Sequence, residues 1–164
     1  MLMNDRFATA RLLALVIPVA LLGGALAFQY IGHLYPCEMC WWQRYPHIDA
    51  IPLALLAFVV PGMQAKRACV AFAAVSIAVS GFIGIFHAGV EYHWWQGITA
   101  CTSTATGHGG SVDDMLKRIL DAPIVRCDVP QWTLFHVSLA GFNAIFSLLG
   151  AGVILTLLLR AKRA

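Results

Sequence analysis

Four long apolar stretches divide the chain, and the charged residues are concentrated between them. The stretches cover about residues 8–30, 45–60, 68–92 and 132–159. A helix needs about 20 residues to cross the roughly 30 Å hydrocarbon core of a membrane. The second stretch is short and contains Asp49 and Pro52, but it becomes long enough if Trp41 and Trp42 lie at the membrane interface. The pattern predicts an all-α membrane protein, a four-transmembrane-helix bundle.

Composition agrees with this prediction. Of the 164 residues, 60% are hydrophobic and only 12% are charged. That is too little charge to cover the surface of a soluble domain, and the length suits a single domain over residues 1–164. The net charge of +3 is small, and the basic residues lie at the ends of the apolar stretches. We therefore expect a lipid bilayer as a partner and no nucleic acid.

The basic residues also predict the orientation of the bundle. Seven of them fall before the uncharged core of the first span (residues 12–28), between the second and third spans, and after the fourth: Arg6, Arg11, Lys66, Arg67, Arg160, Lys162 and Arg163. Basic residues of this kind favour the cytoplasmic side. Both termini are predicted inside, and the connections over 31–44 and 93–131 are predicted outside.

The second outer connection contains an amphipathic pattern over residues 111–120. Ser111 is a plausible N-cap, and Pro123 follows as a stop signal. A short helix here either packs on the loop's own small core or lies in the membrane surface with its apolar face down. The second alternative is favoured because two spans are close by.

Four of the five cysteines fall in the outer connections. Cys37 and Cys40 form a Cys-x-x-Cys pair in the first, and Cys101 and Cys127 lie in the second. Cys69 lies near the inner end of the third span and is expected to be a small buried apolar residue. Three interpretations of the four outer cysteines compete: two structural disulfides, a four-thiolate zinc site, or a redox relay.

The spacing and surroundings of the cysteines favour the redox relay. A zinc site of this class usually pairs two closely spaced cysteine motifs, and only one is present, so no metal is expected. Cys40 lies near a helix N-terminus and Arg44 follows one turn later, and both features favour a thiolate. A disulfide between Cys37 and Cys40 encloses a small loop and stabilises little. The competing hypothesis is a scaffold membrane protein whose outer loops are stapled without redox turnover.

The cysteine pattern resembles that of the DsbB family, the bacterial inner-membrane proteins that form disulfide bonds and reduce quinone. The resemblance covers nearly the whole chain, and five positions match the family's motif one by one: Cys37, Cys40, Arg44, Cys101 and Cys127. It implies a redox site in the periplasm, a periplasmic DsbA-like thioredoxin-fold oxidase as partner, and ubiquinone or menaquinone as cofactor.

The resemblance also implies roles for single residues. The DsbA-like partner attacks Cys101 of a Cys101–Cys127 disulfide, and Cys127 then attacks Cys37 of a Cys37–Cys40 disulfide. Cys40 leaves as a thiolate beside the quinone, with Arg44 stabilising it. The relay residues are thus expected to be catalytic.

Other candidates for the quinone site are His87, Trp41 and Tyr45. For the two aromatic residues the alternative is the aromatic belt at the membrane interface. For His87 the alternative is an interfacial histidine with satisfied hydrogen bonds. Three further histidines are expected at the surface or interface: His33, His47 and His108.

Overall fold

The computed structural model describes residues 2–99, 111, 113 and 125–163. Within them the elements are α1 (Leu2–Tyr30), α2 (Glu38–Val59), α3 (Met63–Glu91), β1 (Thr133–Leu134), β2 (Val137–Ser138) and α4 (Leu139–Arg163). The helical prediction is confirmed. Cys101 and the amphipathic helix predicted over 111–120 lie outside the described residues, apart from Ser111 and Asp113.

The four helices form an up-and-down bundle. α2 and α4 each pack against both α1 and α3, which lie diagonally across the bundle. The N-terminus of α1, the α2–α3 turn and the C-terminus of α4 meet at one end. There the Arg11 guanidinium lies 3.5 Å from the Ala57 carbonyl oxygen, and Arg67 donates to the Ala161 carbonyl at 2.8 Å. Cys37 and the hairpin of β1 and β2 lie at the opposite end.

Small side chains fill the interior of the bundle, and large apolar ones cover its outside. Most core residues are alanines, joined by Val70, Ile77 and Ile154. Phe72 and Leu149 point outward and are 63% and 65% exposed. Small residues let membrane helices approach closely, while lipid solvates the large apolar side chains. Since α1, α3 and α4 are each long and apolar enough to cross a membrane, the chain is a membrane protein.

α2 differs from the other three helices because its outer half is polar. Gln43, Arg44 and His47 are all buried there, and Pro46 and Pro52 lie inside the helix. These polar residues lower its hydropathy, so among the described helices it alone is not a candidate span by length and composition. Polar side chains buried in a membrane bundle are costly and mark functional positions.

The fourth helix begins at Leu139, seven residues after the predicted start at Trp132. The preceding residues form the antiparallel hairpin of β1 and β2, in which Leu134 pairs with Val137. Its two central residues, Phe135 and His136, have φ values of 49° and 62°. Tight hairpin turns of the I′ type require such left-handed residues and usually use Asn-Gly. The predicted start of this span at Trp132 was wrong because the sequence has no Asn-Gly dipeptide here to indicate the hairpin.

Tyr92 fixes the hairpin to the outer end of α3. Its hydroxyl donates to the His136 carbonyl and accepts from the Ser138 N–H, both at 2.8 Å. Ser138 in turn accepts from the Gly141 N–H through its hydroxyl at 3.1 Å, the geometry of a helix N-cap. The start of α4 is therefore set by contacts with a residue 46 positions earlier in the chain.

Replacing Gly84 with alanine should destabilise the bundle where α3 meets α4. A Cβ at this position would lie 2.9 Å from the Ala140 carbonyl oxygen and 3.0 Å from the Ala144 nitrogen. These are backbone atoms that cannot turn away, and overpacking of this kind costs about 1–3 kcal/mol. The thermal unfolding midpoint in detergent should fall for Gly84→Ala. It should not fall for Gly152→Ala, where nothing lies within 4 Å of the added atom. Equal midpoints for the two variants would contradict the packing.

Candidate dithiol site and adjoining cavities

Cys37 and Cys40 lie at the start of α2. Cys37 is the N-cap, and its sulfur accepts a hydrogen bond from the Cys40 N–H at 3.3 Å. Both cysteines are free thiols, and the Cys37 Sγ donates to the Cys40 Sγ at 3.0 Å. The predicted helix N-terminus at the cysteine pair is confirmed. The first turn of α2 thus holds two sulfurs side by side at the point where the helix dipole favours negative charge.

The hydrogen bond between the thiols separates their acidities. It is the largest reason why the pKa of Cys40 lies below its ordinary value and the pKa of Cys37 well above its own. Burial opposes ionisation at both sulfurs. The Arg44 charge also lowers the pKa of Cys40, but it is the weakest of the causes. Cys40 is therefore the sulfur favoured as a thiolate, and Cys37 is the thiol that stabilises it.

Described residues at the end of the second outer connection pack near this dithiol. Cys127 is completely buried and belongs to one apolar cluster with Cys37, Met39 and Val90. Cys127 is disulfide-bonded, and its predicted partner Cys101 lies outside the described residues. Cys127 of the second connection therefore lies in the same buried cluster as Cys37 of the first.

His87 lies behind the dithiol, on α3. Its Nε2 atom is 3.6 Å from the Cys37 Sγ and 3.8 Å from Glu91 Oε1. Its Nδ1 atom is 2.8 Å from the Gln43 amide nitrogen, which also donates to the Met39 carbonyl at 3.2 Å. Gln43 therefore fixes the orientation of the imidazole ring and turns Nε2 toward the sulfurs.

A second buried polar group continues this network into the bundle. It consists of His47, Ser80, Asn143 and Ser147, all linked by hydrogen bonds. Asn143 joins it to the first network by donating to Gln43 Oε1 at 2.9 Å. The prediction that His47 lies at the surface or interface is wrong, since the residue is 3% exposed. The spacing of Cys40, Gln43 and His47 could have shown that they share one face of α2.

A cavity of about 380 Å³ adjoins the dithiol on the side of α1 and α4. Its wall is mostly apolar, and its polar members include Cys40, Gln43, Arg44, His47, Gln131 and Asn143. Arg44 is 7% exposed and donates to the Gln29 side-chain oxygen at 2.5 Å and to the Ala25 carbonyl at 3.3 Å. Both acceptors are neutral, so a buried positive charge faces an apolar space beside the Cys40 sulfur.

Of the four residues predicted to bind quinone, Arg44 lies in the wall of this cavity and the other three do not. Trp41 and Tyr45 are 40% and 55% exposed and pack against each other with ring centroids 6.1 Å apart. Trp41 also lies under the Arg44 guanidinium, at 5.0 Å. Their positions favour the alternative of an interfacial aromatic belt. His87 instead lines a smaller cavity that also adjoins the dithiol.

The family model described as "Disulfide bond formation protein DsbB" matches residues 7–157. The chain belongs to the DsbB family. Disulfide bond formation protein B of Verminephrobacter eiseniae is 31% identical over 150 residues, 88% of this chain and 82% of its own length. The protein of that name from Acidovorax sp. is 26% identical over 163 residues, covering 95% and 91%. An uncharacterized protein of Rickettsia prowazekii is 24% identical over 146 residues, covering 88% and 84%. No solved structure matches significantly.

Membership of the DsbB family confirms the resemblance seen in the cysteine pattern. It indicates disulfide bond formation as the process and disulfide oxidoreductase activity as the class of chemistry. Cys69, in the inner half of α3, is free and half-buried. It packs against the alanine core, at the end of the bundle away from the DsbB dithiol.

Replacing Cys37 with alanine should raise the pKa of Cys40. The substitution removes the hydrogen bond that is the largest cause of the lowered pKa, so Cys40 should become a thiolate only at higher pH. Site-resolved alkylation rates of the reduced protein, measured by mass spectrometry against pH, would give the midpoint. Arg44→Gln removes a weaker cause and should shift the midpoint less. An unchanged midpoint in Cys37→Ala would contradict the assignment.

Proposed function

We propose that the protein is a quinone-dependent thiol oxidase that re-oxidises a periplasmic DsbA-like dithiol oxidase and passes the electrons to membrane quinone. The observation that carries the proposal is the position of Cys40 and Arg44 together in the wall of the 380 Å³ cavity. Small-molecule pockets usually measure about 300–1,000 Å³ and are mostly apolar with a few polar groups. The 380 Å³ cavity meets that description: its wall is mostly apolar, and the Cys40 sulfur and the Arg44 cation are among its few polar groups.

The cavity suits a quinone because a quinone is an apolar ring that carries carbonyl oxygens. Among the described residues, Arg44 donates only to the neutral acceptors of Gln29 and Ala25, so its charge can stabilise negative charge on such an oxygen. Ubiquinone or menaquinone supplies an acceptor for two electrons and two protons. Arg44 would hold the ring beside the Cys40 sulfur, and the apolar wall would exclude water.

The buried cluster of Cys37 and Cys127 supports a relay between the two outer connections. When the DsbA-like partner attacks Cys101, Cys127 is released as a thiolate beside the Cys37–Cys40 disulfide. Its attack on Cys37 forms a new sulfur–sulfur bond and releases Cys40 as the leaving thiolate. Exchange is faster when the leaving thiol has a low pKa, and the nearby Arg44 charge lowers the pKa of Cys40. The second thiol of the DsbA-like partner then releases Cys101, and the attack of Cys101 on Cys127 re-forms the Cys101–Cys127 disulfide and frees Cys37. The two electrons of the partner are then held by Cys37 and Cys40 as two thiols.

The proposal places all four helices across the bacterial inner membrane. α2 has 22 residues, about 33 Å at 1.5 Å per residue, and its polar groups are turned inward to one another. The basic residues at the end of the bundle that holds Arg11 and Arg67 favour the cytoplasmic side. Both termini are then cytoplasmic, and the dithiol lies on the periplasmic side, where disulfides persist.

Quinone reduction by the purified protein tests the relay. With a reduced thioredoxin-fold donor, the absorbance of oxidised ubiquinone or menaquinone analogues should fall, and Cys40→Ser should abolish this change because the terminal dithiol is lost. Cys69→Ser, at the other end of the bundle, should retain the parental rate. A scaffold with stapled loops would show no donor-dependent quinone loss in any of the three proteins.

Two neighbouring glycines of α1 test the cavity. Gly24 lines it and Gly23 does not, and nothing lies within 4 Å of a Cβ added at either position. Gly24→Leu should therefore fill the cavity without disturbing the helix packing and raise the KM for quinone at least 10-fold, about 1.4 kcal/mol of binding. Gly23→Leu should keep the parental KM. Equal KM values for the two variants would place quinone elsewhere.

A further inference from the structure

The smaller cavity, about 30 Å³, shares Cys40 with the large one. Four side chains that can each bind a metal ion line it: Cys37, Cys40, His87 and Glu91. The ligand atoms of the two cysteines and His87 all lie within 4.8 Å of one another. Its volume is about that of one or two water molecules, which is also suitable for a single ion.

The distances resemble the edges of a zinc tetrahedron. Bond lengths of about 2.3 Å to sulfur and 2.0–2.1 Å to nitrogen place ligand sulfurs about 3.8 Å apart and sulfur about 3.6 Å from nitrogen. The Cys37 Sγ is 3.0 Å from the Cys40 Sγ and 3.6 Å from His87 Nε2. The two sulfurs therefore need to separate by less than 1 Å, which small rotations of the two side chains provide.

Glu91 supplies a second, independent indication of a ligand. It is 8% exposed, and its Oε2 atom has no hydrogen-bond partner among the described residues. A buried carboxylate oxygen without a partner is costly. Its Oε1 atom is 3.8 Å from His87 Nε2, so the carboxylate stands beside the nitrogen that faces the sulfurs. A cation bound by the thiolates would satisfy it.

The surroundings also match those of metal-bound histidines. Ligating histidines are normally held through the second ring nitrogen, and here Gln43 lies 2.8 Å from His87 Nδ1. To accept the Nδ1 proton of an imidazole bound to zinc through Nε2, the amide must turn its oxygen to that atom. This turn replaces its present hydrogen bonds with Met39 and Asn143. On the outer side the cavity is lined by Arg126, whose positive charge is paired with Asp128.

We propose that the reduced protein binds one Zn²⁺ through Cys37, Cys40, His87 and Glu91. Binding replaces the S–H bonds of the two thiols by zinc–sulfur bonds, releases their protons to solvent and transfers no electrons. The oxidised protein cannot form this site, because both sulfurs are then used in the disulfide. Zinc binding therefore depends on the redox state of the Cys37–Cys40 pair. Bound zinc would also occupy the sulfurs that reduce quinone, so it would inhibit the proposed turnover.

Zinc binding can be measured without quinone or donor. The full-length protein in detergent would be prepared fully reduced and freed of reductant without oxygen, with oxidised protein in parallel. Competition with a chromophoric chelator would give stoichiometry and affinity. Co²⁺ would serve as the spectroscopic probe, since tetrahedral thiolate coordination produces sulfur-to-cobalt charge-transfer and intense visible bands.

We expect one Zn²⁺ per reduced protein. The oxidised protein should bind no Zn²⁺ with the affinity measured for the reduced protein. His87→Ala and the isosteric Glu91→Gln should each weaken binding at least about 10-fold, as loss of even an outer partner does. Cys69→Ser should bind as tightly as the parent. Equal binding by reduced and oxidised protein, or unchanged affinity in both His87→Ala and Glu91→Gln, would overturn the proposal. Zinc binding without quinone turnover would refute the proposed function and leave this site intact.

Discussion

The Cys37 side chain makes four kinds of contact, and the outer end of the bundle is arranged around them. Its sulfur caps α2 by accepting the Cys40 N–H, donates to the Cys40 sulfur, and faces His87. It also packs against Cys127 in one buried cluster. One atom therefore starts a helix, determines which thiol ionises, and connects the second outer connection to the first.

Burying these polar groups constrains the rest of the bundle. An unsatisfied polar group in a membrane interior costs several kcal/mol, so the polar face of α2 needs partners on the neighbouring helices. Gln43 and His47 find them in His87 and Ser80 on α3 and in Asn143 on α4. Small residues such as Gly84 bring these helices close enough for side chains this short to meet.

The dithiol adjoins two cavities of different chemistry. One is a large, mostly apolar space with the Arg44 charge in its wall, and the other is a small cavity whose lining includes His87 and Glu91. Cys40 contacts both. An electron acceptor and a cation would thus approach the same sulfur, and neither could use it while the other held it. This arrangement follows from placing the pair on the first turn of a helix that packs against α1 and α3.

Local chemistry determined most of what the sequence alone predicts. Apolar stretches of sufficient length, the basic residues at their ends and the Cys-x-x-Cys before α2 are all local features, and they predicted the helices, the membrane and the redox pair. Contacts between distant parts of the chain decided the rest. The start of α4 depends on Tyr92, and the placement of His87 depends on Gln43 on another helix. Which side chains share a cavity follows from helix rotation and packing, which no short stretch of sequence specifies.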